Sequence, residues 1–227
     1  MKHCVAIILL MLMAACSKPS LTLYKAAEGN DVPEVERILA ANPSAINQKD
    51  AVGWSALHYA AYAGSSEALE ALIKPGAEIN ILDKHAQTPL HAAALAGRLG
   101  VGKVLVKAGA NVTLLNEQGS TPLHIAATAQ KVEFVGMLLD AGSDPNACGA
   151  SHWTALHSAC SAGSLPAVEL LLQRGAELNA ESTNYWTPLD VAVEKKHDTL
   201  ASLLRSKGAI SSADIQRAKR QQKQPSP

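Results

Sequence analysis

Apolar residues along this chain come in paired short clusters, and every pair but the first is closed by glycine. Between Thr88 and Thr121, Leu90, Ala93 and Ala94 fall at helical spacing. Gly97 follows, and Val101, Val104, Leu105 and Val106 make a second apolar stripe ending at Gly109. This predicts two short amphipathic helices, too brief to be stable without neighbours. Thr88 suits a helix N-cap, Pro89 is tolerated in a first turn, and Gly97 can take the positive φ of a helix end. The stretch from Asn111 to Ser120 returns the chain to the next pair.

The pattern repeats. Tetrapeptide slots begin at Ser55, Thr88, Thr121, Thr154 and Thr187, each step being 33 residues. They read Ser55-Ala56-Leu57-His58, Thr88-Pro89-Leu90-His91, Thr121-Pro122-Leu123-His124, Thr154-Ala155-Leu156-His157 and Thr187-Pro188-Leu189-Asp190. Apolar second helices follow each slot, with Leu69, Leu72 and Ile73 in one, Val135, Leu138 and Leu139 in another, and Val168, Leu171 and Leu172 in a third. Leu23, Ala26 and Ala27 mark an earlier unit, offset by one inserted residue. A period of this length means a solenoid, in which each unit buries its apolar face against the next.

The unit resembles the ankyrin repeat. The resemblance implies an all-α repeat solenoid of six repeats, each a helix-turn-helix plus hairpin or loop, in a curved stack. The expected boundaries are 21–53, 54–86, 87–119, 120–152, 153–185 and 186–210. The first and last units depart from the pattern as caps should. Tyr24 stands in the first where others have histidine, and Asp190 and Lys196 replace the histidine and glycine of the last.

The resemblance also implies protein or peptide binding, without catalysis or cofactor, on a concave face built from hairpin tips and first helices. The residue before each slot is Trp54, Gln87, Ser120, Trp153 or Trp186, so all three tryptophans share one position. Tip residues His85, His152 and Tyr185 lie beside them, and first-helix residues Tyr62, Leu95, Thr128 and Ser161 adjoin. Tryptophan and tyrosine bury much area with few rotors, which suits binding anchors. Local packing of each tryptophan is the alternative.

The repeating histidines His58, His91, His124 and His157 invite a metal reading. Stacked repeats stand about 8–10 Å apart, whereas each metal–nitrogen bond is about 2 Å, so these rings cannot share one ion. In the ankyrin family this histidine hydrogen-bonds within and between repeats, and that structural role is expected. Cys148, His152, His157 and Cys160 have zinc-binding residue types but not a zinc spacing, so no metal site is expected. No Gly-x-Ser-x-Gly elbow and no phosphate-binding glycine loop occurs.

The ends add a location. Lys2, the apolar run Val5 to Met13, and Ala14-Ala15 read as a signal peptide over residues 1–15. Met13-Ala14-Ala15-Cys16 resembles a bacterial lipobox, which implies cleavage before Cys16 and a lipid on its thiol. An ordinary cleaved leader, or an apolar leader retained in the membrane, is the alternative. Ser17 after the cysteine implies, by the same resemblance, an outer-membrane anchor facing the periplasm, with residues 16–20 as tether. Residues 211–227 carry Arg217, Lys219, Arg220 and Lys223 against Asp214, and read as a frayed helix running into a disordered tail. The chain as a whole balances 20 basic against 20 acidic residues, so a nucleic-acid partner is not expected. Within this envelope setting the expected function is a monomeric scaffold. The alternatives kept open are an immunity protein neutralising a toxin, a metal-dependent protein and a host-directed effector.

Overall fold

The computed structural model describes residues 19–223, in thirteen α-helices with no strand among those residues. The leader, Cys16 and residues 224–227 lie outside the described residues. Six helix pairs succeed one another: α1 Pro19–Glu28 with α2 Val32–Ala41, α3 Ala56–Ala63 with α4 Ser66–Ile73, and α5 Pro89–Ala96 with α6 Leu99–Lys107. Then come α7 Pro122–Thr128 with α8 Val132–Asp140, α9 Ala155–Ala162 with α10 Leu165–Gln173, and α11 Pro188–Glu194 with α12 Asp198–Ser206. The first helices pack side by side in one row, and the second helices from α2 to α10 form another.

Each slot starts its helix through the same chemistry. In α5 the Thr88 hydroxyl oxygen accepts the His91 N–H, while the His91 ring accepts the Thr88 N–H, so two otherwise orphaned donors are satisfied together. Gly97 then stops the helix at φ 70°, with the Lys131 stem of the next repeat lying across it. The slot leucines Leu57, Leu90, Leu123, Leu156 and Leu189 are all buried, each stabilising the stack by about 1.5–3 kcal/mol. Alanines behind them let neighbouring first helices approach closely.

Second helices fit by trading volumes. Phe134 stands where the other repeats have Ala68, Val101, Ala167 and Leu200. Its ring is buried against Gly102, where a Cβ would lie 2.6 Å from it. Ser143 occupies a position filled by Ala77, Ala110, Ala176 and Ala209, and its buried hydroxyl finds no hydrogen-bond partner among the described residues. Ser143→Ala is therefore expected to raise stability by about 1 kcal/mol, which a urea titration would detect as a higher midpoint at unchanged slope.

The stack does not end where the period does. The segment expected to be a frayed helix and disordered tail is helix α13, Ser212–Lys223, over most of its length. Ser211-Ser212-Ala213-Asp214 acts as a seventh slot, only 24 residues after the sixth rather than 33. The Ser211 hydroxyl donates to Asp214 at 2.7 Å and accepts the Asp214 N–H at 3.3 Å. Asp190 reaches across to accept the Ser212 N–H at 2.9 Å, and Lys219 pairs with Glu181. The terminal unit is thus a half-repeat: a first helix without the hairpin that should precede it. At the other end α1 begins at Pro19, inside the segment 16–20 expected to be a tether, whose first three residues lie outside the described residues.

Candidate interaction surface

The hairpin tips are built on a second periodic column. Asp50, Asp83 and Asn116 each place a side-chain oxygen on the N–H of the residue before the slot, at 2.8–2.9 Å, and the Ser182 hydroxyl does the same for Trp186 at 3.1 Å. In the fourth tip this position is Gly149. A Cβ there would come within 2.4 Å of the Gly119 carbonyl oxygen, and backbone bonds close the turn instead, from the Trp153 N–H to the Ala150 carbonyl and from the Gly149 N–H to the Trp153 carbonyl. Backbone bonds join successive tips: Glu117 N–H to His85 C=O, Ala150 N–H to Gly119 C=O, and Thr183 N–H to Ser151 C=O.

Asparagines stitch the loops at the same period. Asn47, Asn80, Asn146 and Asn179 each accept an N–H from the following repeat, at 2.7–3.0 Å. Their spacing was present in the sequence. Asparagine in a loop signals nothing, however, until the backbone donor opposite it is known.

The repeating histidines hold the stack together. His58, His91, His124 and His157 each take two contacts at Nδ1, from the backbone N–H and the hydroxyl of their own slot residue. Since an N–H can only donate, Nδ1 carries no proton. Nε2–H therefore donates to the carbonyl of Gln87, Ser120, Trp153 or Trp186 in the next repeat, at 2.9–3.1 Å. Burial lowers the pKa of all four, His91 to about 4.

The expected contact residues divide into two groups. Trp54 stacks on the His58 ring and meets Tyr59 edge-on and Tyr62 at a tilt, and its indole N–H donates to Asp83 at 3.1 Å, so much of it is committed to packing. Tyr62 remains exposed, as does Leu95 in the next repeat. His85 is exposed and contacts Glu117 at 3.0 Å. Gln87 is half-buried, and the Thr128 hydroxyl folds back on the His124 carbonyl. At the other end, Ser120, Trp153 and Trp186 border one cavity of about 580 Å³, with Ser161 of α9 and Lys195 at its edge. Trp153 is half-buried on the His157 ring, while Trp186 is 39% exposed.

The tip residue preceding each of these positions lies in the left-handed region: Gly53, Ala86, Gly119, His152 and Tyr185, at φ between 55° and 88°. Glycine adopts this conformation freely, whereas a residue with a side chain loses roughly 1–2 kcal/mol there. The two bulkiest occupants, His152 and Tyr185, are both exposed and immediately precede Trp153 and Trp186.

Cys148 is exposed, Cys160 is buried with its thiol pushed up to about 12 by burial, and the two form no disulfide. Such a thiol stays protonated and unreactive. Among the described residues no group of three or more histidines, cysteines or carboxylates is arranged to hold a metal. His157, one member of the sequence-level cluster, is occupied at both ring nitrogens. No helix among the described residues is long and apolar enough to cross a membrane.

A sequence-family model described as ankyrin repeats in three copies matches residues 7–83, 23–116, 76–148 and 142–217. With that match and the fold above, the chain belongs to the ankyrin-repeat family. Ankyrin repeats generally mediate protein–protein interaction and are typically non-catalytic. A comparison with curated proteins finds no match.

Proposed function

We propose that this protein is a protein- or peptide-binding scaffold whose main contact lies in the groove between Trp153 and Trp186. It works in a bacterial envelope, held by lipid on Cys16 to the outer membrane and facing the periplasm. The carrying observation is the strained pair His152 and Tyr185, each left-handed and exposed beside a tryptophan of that groove. A fold that needs only a turn there can use a small residue, as at Gly53, Ala86 and Gly119. Keeping large side chains at a conformational cost is what a binding site does. Binding is docking onto a pre-formed surface, with little to order on the scaffold side.

Tyr185→Gly separates this reading from local packing. The variant should melt higher, by roughly 1 kcal/mol of relieved strain, yet lose capture of the envelope partner that crosslinks to wild type. Ser161→Arg, which projects bulk at the groove edge, should also lose capture while staying folded. A partner held equally well by both variants would sink the groove assignment. Cys16→Ala, fractionated alongside wild type, tests the anchor. Wild type found in the soluble fraction would defeat it.

A further inference from the structure

The half-repeat at the C-terminal end leaves a vacancy of defined shape. Restoring the interior spacing would need nine more residues between Ile210 and Ser211, the length by which the seventh slot falls short of 33. Where the base of that hairpin would run there is a cleft of about 560 Å³. Trp186, Leu189, Val193 and Ile210 give it apolar walls, and Val193 and Ile210 are both more than 40% exposed. The tip ladder is also open beyond the sixth tip, at Asn184, which borders the neighbouring groove and is two residues before Trp186, a wall of both. His85 and Ser151 give their carbonyls to the next tip, while Asn184, at the same register position, accepts no backbone hydrogen bond among the described residues.

We infer that this cleft takes an extended segment of a partner protein, which docks as the missing seventh hairpin. The segment's backbone N–H continues the tip ladder at Asn184, and one apolar side chain enters beside Trp186 and Val193. Addition of an extended segment to an open hydrogen-bonding edge is a general recognition mode: the backbone supplies affinity and the side-chain cleft supplies selection. The charge of the walls specifies the neighbour of that apolar residue. Asp190, Glu194 and Asp214 face the cleft against one cation, Arg205. Asp214 also meets Arg217 at 3.0 Å, and Asp190 already holds the Ser212 N–H, which leaves Glu194 the cleft carboxylate without an ion pair or hydrogen bond among the described residues. The segment therefore carries Lys or Arg next to its apolar anchor. The inference rests on the scaffold reading above and shares Trp186 and Glu194 with its groove, so an insertion variant that fills this cleft alone is what separates the two sites.

The test pans a random nonapeptide display library on the purified protein and repeats the binding on two variants. One carries a second copy of Val112–Ser120 between Ile210 and Ser211, restoring the interior spacing and filling the cleft from within. The other is Glu194→Lys, an exposed change that leaves the stack folded. Enriched peptides should combine an apolar with a basic residue and shift the Trp186 indole signal in NMR. They should bind the insertion variant about tenfold more weakly and Glu194→Lys about fivefold more weakly. No enrichment, or peptides that bind all three proteins equally, overturns the inference. If the envelope partner is lost with Ser161→Arg but retained by the insertion variant, the groove stands and the hairpin-replacement site falls.

Discussion

Phe134→Ala is expected to cost about 3–5 kcal/mol, the largest loss for any single side-chain truncation in this stack. Phe134 is the chain's only phenylalanine and is 1% exposed, so its removal leaves a cavity deep between the third and fourth repeats. Neighbouring side chains cannot fill it, because Gly102 opposite has none to offer. In a solenoid stability is close to a sum of unit and nearest-neighbour terms, and this change weakens one central interface. Urea unfolding should therefore shift to lower concentration and broaden, as the two halves begin to separate. A control identifies the mechanism. In the wild type, Gly102→Val drives carbon into the Phe134 ring and Met137, since even a Cβ would lie 2.6–2.7 Å from them. In the Phe134→Ala background the same valine enters free space. The double variant should be more stable than the sum of the single losses by at least about 1 kcal/mol. Additive losses would show that the ring and the glycine do not compensate each other.

That pairing also shows where the sequence stops being legible. A strict period identifies helices, slots and caps, because each recurs with the same residue type: Thr88 with His91, or Gly97 after Ala94. Phe134 and Gly102 lie in adjacent repeats, each an exception to its own column. Their relation appears only when the repeats are stacked. The half-repeat was hidden for a different reason. Ser211-Ser212-Ala213-Asp214 is out of step with the period and lacks the apolar Leu of the other slots, so the segment looked like a charged tail. Trp54 and Trp186 share a position in the period and differ in surroundings. Asp83 ties down the first through its indole N–H, while the second keeps a free face. The strain at His152 and Tyr185 had a sequence signal, since Gly53 and Gly119 occupy the same column. It became an argument only once the positive φ was seen.

The histidine column should make the stack acid-sensitive well above the range in which carboxylates titrate. Each ring is neutral in the fold, because Nδ1 faces a backbone N–H and a hydroxyl, and burial opposes the charge. Acids nearby pull the other way, Asp83 on His58 and His91 and Asp190 on His157, and burial outweighs them. In the unfolded chain the same rings titrate near the ordinary histidine value of about 6.5. The folded pKa is thus the lower one, and the unfolded state binds more protons between the two values. Stability from these groups is complete above about pH 6.5 and drains away as pH falls towards the folded values. For His91, with a folded value of about 4, the loss across that window is about 3 kcal/mol, and the other three rings add in the same direction. Asp50, whose pKa is lowered from 3.8 by its bonds to Tyr59 and the tip N–H groups, enters only below that window. Urea midpoints measured from pH 7 to pH 5 should fall steadily. Calorimetry in two buffers of different ionisation heat should show more than one proton taken up on unfolding at pH 5. A flat midpoint over that range would mean the rings are already charged in the fold. It would also contradict the hydrogen bonds at Nδ1, because a proton there would push against the slot N–H. The sixth slot shows the same logic reversed. Its partner across the repeat is the Ser212 N–H, a donor, and the residue facing it is Asp190, an acceptor. His91→Asp would instead aim a carboxylate at the Ser120 carbonyl. It should destabilise the stack at pH 7 more than at pH 4, where protonation restores a donor.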